Sequence, residues 1–426
     1  MPQLSLLLAQ LLVILVTARL VGRAVRPFGQ PRVVGEMLAG IALGPSLLGR
    51  LLPDASRLLF PPDSLLPLST LSQFGVLLFM FVIGLHLDVG VLRERASAAV
   101  AVSQASIVVP FVLGALLAPW LHPRLSGPGI EGGGVALLPF ALFLGAAMSI
   151  TAFPVLARIL SERDLLATRL GAVAIACAAV GDVTAWCILA GIVAIARAGD
   201  VLGTLGLRLA GLAAFALFAV TVGRRALVAL DERRVARGLG VTADTLGIAI
   251  LVALALALVT ERAGVHALFG AFLAGAIMPR QSGLAREISD RMEMFVAIVF
   301  LPIFFAFTGL RTEIGLVSGA VLWGMCAALT AAAIIGKFGG SAIAARLTGM
   351  PWREASALGI LMNTRGLMEL VVLNIGLELG VISRTLFAMM VLMALITTCM
   401  TSPLLALVLR RAPAVTGGDY IPSTMR

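Results

Sequence analysis

Asp182 is an acidic residue in the middle of a long apolar stretch, AIACAAVGDVTAWCILAGIV. An ionised carboxylate at the centre of a membrane helix costs about 2.5 to 3.5 kcal/mol. Burial favours the neutral acid, whereas a nearby cation favours the carboxylate. We therefore predict that this group holds a proton and a cation in turn, so that competition for one site couples the two fluxes. A structural ion pair or a polar packing contact is the alternative.

Lys337 is the protein's single lysine, and it also lies in an apolar stretch, AAAIIGKFGGSAIAA. A buried lysine is able to lose its proton or to change partners, whereas an arginine stays charged. We therefore predict that Lys337 is a switchable counter-ion of Asp182. The alternative is a lysine that extends from its helix to the cytoplasmic membrane surface.

Polar residues interrupt a third apolar stretch at 148–154. Pro154 cannot donate a backbone hydrogen bond, so it supports a helix break and leaves the carbonyl group of Ile150 without its helical partner. The hydroxyl groups of Ser149 and Thr151 flank that carbonyl group in the sequence. Because hard cations prefer oxygen ligands, we predict that Ser149 and Thr151 bind the ion. A proline kink without an ion site is the alternative.

A second interruption, LMNTRGLMEL at 361–370, lies in another apolar stretch. Asn363 marks this break and is a candidate ion ligand. Arg365 lies where one half-helix should end and Glu369 falls in the first turn of the next, so their charges complement the helix dipoles. Being four residues apart, they are also able to pair on one helix face. We favour a structural role for this pair.

The composition excludes several classes of protein. The 426-residue chain is 60% hydrophobic and 13% charged, which is more apolar than a soluble fold can hide, so the lipid bilayer must surround it. The net charge of +10 does not indicate nucleic-acid binding, because no basic stretch is interleaved with aromatic residues. The four cysteines lie in apolar stretches without C-x-x-C spacing, which predicts packing roles and no metal site. We expect a transporter without cofactors, not an enzyme.

Thirteen apolar stretches are long enough to cross a bilayer, which takes about 20 residues. The spacers after the odd-numbered stretches are richer in arginine, which predicts a cytoplasmic location for them, with the N-terminus outside and the C-terminus inside. Glu36, one turn into the second stretch, is a weak candidate for the cytoplasmic approach, and an interfacial carboxylate is the alternative. The stretches centre near Val13, Ile41, Phe79, Val108, Ala147, Asp182, Ala214, Leu251, Ala271, Phe304, Ala332, Met368 and Ala394.

The two polar interruptions fall at matched positions, in the fifth and twelfth stretches. If the seventh stretch is a linker, each interruption lies in the fifth span of a six-span half, which is typical of inverted-repeat transporters with a site at mid-membrane. The predicted fold is an all-α polytopic membrane protein with broken crossing helices. Its predicted parts are one transmembrane domain over 1–411, with repeats at about 4–197 and 242–410 and a linker helix at about 203–223, and a cytoplasmic tail at 412–426.

Seven segments together resemble the second family of monovalent cation:proton antiporters, within the sodium/proton exchanger superfamily, and especially its plant cation/proton exchangers and related bacterial proteins. The resemblance covers almost the whole chain. The segments are QPRVVGEMLAGIALGPSLLG, FGVLLFMFVIGLHLD, SITAFPVLARIL, GDVTAW, LPIFFAFTGLRTEI, LMNTRGLMELVVLNIGLELGVI and FAMMVLMALITT.

The resemblance implies a homodimer in the plasma (inner) membrane. It implies a scaffold of spans such as 1–3 and 8–10, and a mobile core of spans 4–6 and 11–13 in which the broken spans cross beside Asp182. Thr151, Ala152 and Asn363 match positions near that crossing, and Lys337 matches a basic position. Relatives usually place Asn, Asp or Gln immediately before the key aspartate, whereas this chain has glycine there.

The leading functional hypothesis is an antiporter that exchanges Na⁺ or K⁺ for protons through Asp182. A second hypothesis is a proton-coupled exporter of a larger solute such as an ionophore, because Gly181 leaves space beside the aspartate. A third is a channel or a sensor that keeps the fold. Asp182→Asn would abolish coupled exchange in the first case but would leave a sensor functional.

Overall fold

A computed structural model gives the architecture of most of the chain. Three predicted features lie outside the described residues. They are the helix break at Pro154, the tail at 412–426 and the first part of the linker helix. The described residues are 3–30, 32–86, 96–125, 134–152, 155–156, 159–160, 163, 165, 168–197, 211, 213–263 and 267–409.

Every regular element in these ranges is helical. The first eight α-helices are α1 (Gln3–Ala24), α2 (Arg32–Leu43), α3 (Leu48–Leu51), α4 (Pro53–Leu59), α5 (Leu65–His86), α6 (Ala96–Leu125), α7 (Leu137–Ser149) and α8 (Arg169–Arg197). The others are α9 (Arg224–Ala236), α10 (Ala243–Arg262), α11 (Ala267–Ala276), α12 (Leu284–Phe295), α13 (Leu301–Leu310), α14 (Gly319–Ile334), α15 (Gly340–Leu347), α16 (Trp352–Met362), α17 (Leu367–Glu378) and α18 (Arg384–Leu409).

The chain is a polytopic membrane protein. Among the described residues, nine helical segments are long and apolar enough to cross a bilayer. Each of the thirteen predicted centres lies in a described helix, and four of them lie in the shorter helices α2, α7, α11 and α17. The number of thirteen spans stays a prediction.

One helix extends past its predicted bounds, and π-helical turns join several others. The helix at the predicted linker continues to Ala236, beyond the predicted end near 223, because Arg224–Ala236 is rich in good helix formers such as Ala, Arg and Leu. In addition, π-helical turns join neighbouring helices into continuous rods. They lie at Ala219–Gly223, Val296–Phe300 and Ile335–Gly339.

Glycine residues allow the closest contacts between helices. A Cβ atom at Gly84 in α5 would lie 2.2 Å from the carbonyl oxygen of Phe272, and one at Gly275 in α11 would lie 2.1 Å from that of Phe81. A Cβ atom at Gly114 in α6 would lie 2.9 Å from Cα of Gly145 in α7. Backbones that approach this closely pack by van der Waals contact, which drives helix association where no hydrophobic effect operates.

The strongest packing falls into two groups of helices. The first group contains α1, α2, α5, α10, α11, α12 and α13, and the second contains α6, α7, α8, α14, α15, α16, α17 and α18. Fewer contacts join the groups, and they include those of α17 with α13 and of α18 with α2. The two predicted interruptions both lie on the side of the second group.

Candidate functional site

The two interrupted segments meet through their backbones. The helix α7 ends at Ser149, and the next residue, Ile150, is extended. The helix α16 ends at Met362, and α17 begins four residues after the cap residue Asn363. The backbone amide of Ala152 donates a hydrogen bond of 3.0 Å to the carbonyl oxygen of Thr364. The predicted breaks therefore lie side by side.

Lys337 connects its own helix to the first break. The residue lies in the π-helical turn after α14, and its side chain is fully buried. Its ammonium group donates a hydrogen bond to the hydroxyl oxygen of Thr151. The Thr151 hydroxyl in turn donates to the carbonyl oxygen of Met362 at 3.3 Å, so the lysine, the first break and the second break form one hydrogen-bonded chain.

Asp182 lies near the middle of α8, and only 4% of its surface is exposed. Its carboxyl group and the Lys337 ammonium attract each other electrostatically. Lys337 also interacts with the charges of Arg365 and Glu369. The two buried groups therefore interact electrostatically, although no ion pair of 4.0 Å or less joins them within the described part of the chain, and Lys337 is the member of the pair that lies at the junction of the two breaks.

Arg365 ties the second break to the end of α7. Its guanidinium group is fully buried and donates to the carbonyl oxygens of Ala147 at 3.2 Å and Met148 at 2.6 Å. It also pairs with Glu369 at 3.0 Å. The last carbonyl groups of a helix lack intrahelical partners, so Arg365 satisfies backbone groups that the first break exposes. These contacts support a structural role for Arg365 and Glu369, which stays a prediction.

Asn363 and Ser149 have different surroundings. Asn363 is buried, its amide nitrogen lies 3.9 Å from Sδ of Met400, and its side-chain oxygen has no hydrogen-bond partner among the described residues. That oxygen is available to a ligand. The hydroxyl of Ser149 instead points to the carbonyl oxygens of Ile107 at 2.8 Å and Gly145 at 2.7 Å, and so connects α7 to α6.

Glu36 lies in α2, within the first group of helices. It is half-buried and lines a cavity of about 240 Å³ together with three arginines, Arg19, Arg23 and Arg32. The other lining residues come from α1, α13 and the adjoining π-helical turn. None of the described residues that line this cavity belongs to the two breaks.

A polar cluster at the end of α17 was not predicted from the sequence. Asn374 donates to the hydroxyl of Thr308 at 3.0 Å, and Arg311 contacts both Asn374 at 3.2 Å and Glu378 at 3.1 Å. Gln73 also donates to Glu378, at 3.3 Å. The cluster joins α17 to α13 and α5, which belong to the first group. Polar residues at 374 and 378 in the otherwise apolar VVLNIGLEL are the sequence signal that could have revealed it.

Comparisons with known proteins show which family the chain resembles. A family model described as "sodium/hydrogen exchanger, transmembrane" matches residues 12–411. The chain is 43% identical to the Na(+)/H(+) antiporter NhaS4 of Synechocystis, over 94% of this chain and 96% of that protein. It is 39% identical to cation/H(+) antiporter 17 of Arabidopsis thaliana, over 98% of this chain but 50% of that protein. The chain thus spans about half the length of the plant relative.

A solved structure shows the same fold. The sodium proton antiporter MjNhaP1 of Methanocaldococcus jannaschii superposes with a TM-score of 0.63 over 95% of this chain and 96% of that chain, at 15% sequence identity. The family match and the 43% identity confirm the family that the sequence motifs indicate. The chain therefore belongs to the transmembrane sodium/hydrogen exchanger family.

Proposed function

We propose that this protein is a secondary antiporter that exchanges Na⁺ or K⁺ for protons by alternating access, with Asp182 as the shared site. The observation that carries the proposal is a buried carboxylate, Asp182, that interacts electrostatically with a buried ammonium group, Lys337, which is hydrogen-bonded at the junction of two interrupted helices. The relatives named above are Na⁺/H⁺ and cation/H⁺ antiporters, which supports the same reaction for this chain.

The exchange follows from the charges of the site. Without a transported cation, Asp182 carries a proton, and Lys337 acts as the counter-ion of the carboxylate while that proton leaves. An entering cation brings its own positive charge and takes the place of the proton, while the ammonium group keeps the Thr151 hydroxyl as an acceptor. An uncompensated carboxylate is costly in a membrane interior, so only occupied forms of Asp182 should cross between inward- and outward-facing states. We expect the cycle to need no cofactor.

The surrounding residues have two proposed roles. Thr151, Ser149 and Asn363 are the proposed ligands beside Asp182, and the orphan oxygen of Asn363 supports its assignment. The hydroxyl of Ser149 directs its proton to backbone carbonyl groups, so the lone pairs of its oxygen remain available to a cation. Arg365, Glu369 and Pro154 support the breaks. Glu36 is proposed only for the cytoplasmic approach.

The architecture of the transporter is part of the proposal. We infer thirteen spans in two inverted six-span repeats, with the second packing group as the mobile core and the first as the scaffold of a homodimer. We further infer a plasma (inner) membrane location with the N-terminus outside. The distribution of arginine between the spacers supports the orientation, and the sparse contacts between the packing groups support their relative movement.

Everted membrane vesicles test the proposed reaction. A preformed proton gradient, followed with a pH-sensitive dye, should collapse when Na⁺ or K⁺ is added to vesicles that contain the wild-type protein. Asp182→Asn should abolish this response, and Asp244→Asn should not, because Asp244 is an exposed carboxylate at the start of α10. A wild-type protein that leaves the gradient intact with both cations across a wide pH range would overturn the proposal.

A further inference from the structure

Ser103 is a buried serine on α6, the helix that packs beside Asp182. The side chain of Ser103 is fully buried, and its hydroxyl oxygen has no hydrogen-bond partner among the described residues. A polar atom that is buried without a partner is uncommon and costly in a folded protein. Its position in this protein therefore needs an explanation.

The hydroxyl of Ser103 lies against the residue that precedes Asp182. A Cβ atom added at Gly181 would be 3.3 Å from Oγ of Ser103, which is a tight contact. The neighbouring residues fix the register of the two helices, because Gln104 donates to the hydroxyl of Thr184 at 3.2 Å. Glycine at 181 thus leaves the space that the Ser103 hydroxyl occupies.

The helix α6 also touches two further elements of the site, the end of α7 and the π-helical turn that carries Lys337. Its Ile107 carbonyl group accepts a hydrogen bond from Ser149 at the end of α7. A Cβ atom at Gly336, next to Lys337, would lie 2.9 Å from Cα of Pro110 in α6. The Ser103 hydroxyl therefore lies on a helix that is held against both the carboxylate helix and the lysine helix, so its position is fixed by several contacts.

We propose that Ser103 is a ligand of the transported cation, and that Gly181 is present to let the Ser103 hydroxyl reach the ion beside Asp182. The inference rests on the proposed function and adds a ligand to its site. A hydroxyl oxygen suits a hard monovalent cation such as Na⁺. A side chain at 181 would compete for the space of this oxygen, so the pair Gly181 and Ser103 sets how many oxygen atoms surround the ion.

The test compares purified variants in proteoliposomes and in detergent. Ser103→Ala removes the oxygen, and Ser103→Cys keeps the volume but replaces the oxygen with a soft sulfur atom. Both variants should raise the KM for Na⁺ at least about fivefold, because the loss of one ligand should cost about as much as the loss of one hydrogen bond. The maximal rate should change little. The double variant Gly181→Ser/Ser103→Ala returns a hydroxyl from the opposite helix and should recover part of the lost affinity.

A matched control is Ser106→Ala, which removes another buried hydroxyl of α6, one that donates to the Ser103 carbonyl oxygen at 2.8 Å. It should leave the KM for Na⁺ unchanged. Melting temperatures in detergent give a readout of binding that does not need transport. Added Na⁺ should raise the melting temperature of the wild-type protein and of Ser106→Ala, and should raise that of Ser103→Ala much less.

The outcomes separate this inference from the proposed function. If wild type exchanges ions and Asp182→Asn does not, but Ser103→Ala keeps the wild-type KM and Na⁺-dependent melting shift, the ligand role is wrong and the antiporter stands. The ligand role is also wrong if Ser103→Ala and Ser106→Ala lose affinity and stability equally, which indicates packing alone. If wild type shows no exchange, both proposals fail.

Discussion

Four buried ionisable side chains form the centre of the site, and their formal charges cancel. Asp182 and Glu369 are the acids, and Lys337 and Arg365 are the bases. Isolated buried charges are expensive, whereas paired and hydrogen-bonded ones are tolerated. Replacing a proton on Asp182 by a monovalent cation leaves the total charge of this set unchanged. The site is therefore able to accept either ion at a similar electrostatic cost.

The contact between Lys337 and Thr151 should contribute to stability. Thr151→Val removes the acceptor of a buried ammonium group with little change in side-chain volume. We expect it to destabilise the protein by about 1.5 to 3 kcal/mol, the range for a hydrogen bond to a charged group, seen as a lower melting temperature in detergent. Thr151→Ser keeps the hydroxyl and should stay near wild type. Equal stability of Thr151→Val and wild type would show that the ammonium has another acceptor.

Residue types alone indicated part of this site. Asp182 and Lys337 could be predicted because an acid and a single lysine in apolar stretches are costly and need a function. Ser103 could not, because serine is common in membrane helices and its importance depends on a contact with Gly181 on another helix. The carbonyl partners of Ser149 were also hidden, since one of them, Ile107, is supplied by α6.

The broken helices depend on each other for backbone hydrogen bonding. Inside a membrane, lipid offers no hydrogen-bond donors to the carbonyl groups of an interrupted helix. Arg365, from the second break, donates to the last carbonyl groups of α7 at the first break, and the amide of Ala152 donates to Thr364 in the opposite direction. Each break is therefore satisfied by the other, and the two should move as one unit.

Arg365→Met should destabilise this unit strongly. It leaves Glu369 buried without its partner and removes donors from Ala147 and Met148, for which we expect a loss of about 3 to 5 kcal/mol. Adding Glu369→Gln to Arg365→Met should recover part of the loss, because the unpaired charge is then removed. Thermal or denaturant unfolding of purified protein measures both effects.

Arg353→Met is the matched control for Arg365→Met. Arg353 also donates to carbonyl groups at a helix end, those of Val408 and Leu409, but it is exposed. Water can replace it there, so we expect a loss below about 1 kcal/mol. Equal effects of the two arginine variants would contradict the interdependence of the breaks.

The sequence predicted the helices better than the details within them. Apolar periodicity and hydropathy locate membrane helices directly, so every predicted centre lies in a helix, and the interruption at 361–370 contains the gap between α16 and α17. The π-helical turn that holds Lys337 was not predicted, because one extra residue in a helical turn leaves no mark in an apolar pattern. The hydrogen bonds of Arg365 to α7 join distant parts of the chain and have no local signal.

At the scale of the molecule, the polar cluster at the end of α17 links the two packing groups. Its residues are Gln73, Thr308, Arg311, Asn374 and Glu378. The cluster connects α17 to α5 and α13. In the proposed orientation it lies near the outer surface. Relative movement of the groups that opens this side must break the ion pair between Arg311 and Glu378.

The proposed orientation predicts which loops are accessible from outside. In a variant without the four native cysteines, Asp63→Cys should react with a membrane-impermeant maleimide in intact cells. Arg237→Cys should react only after the membrane is permeabilised. Both positions are exposed and lie in spacers that the arginine distribution assigns to opposite sides. The reverse labelling pattern would mean that the topology is the inverse of the proposed one, with the C-terminus outside.

The central claim, that one carboxyl group holds a proton and a cation in turn, predicts a specific dependence of transport on pH. In proteoliposomes with an entrapped pH-sensitive dye, the KM for the cation should be measured at several pH values, with equal pH on both sides at the start. Protons compete with the cation at Asp182, so the KM should rise by up to about tenfold for each unit that the pH falls through the acidic range, by linkage. The maximal rate at saturating cation should stay constant. A KM that does not change with pH, or a pH dependence that persists with coupled exchange in Asp182→Asn, would contradict the account.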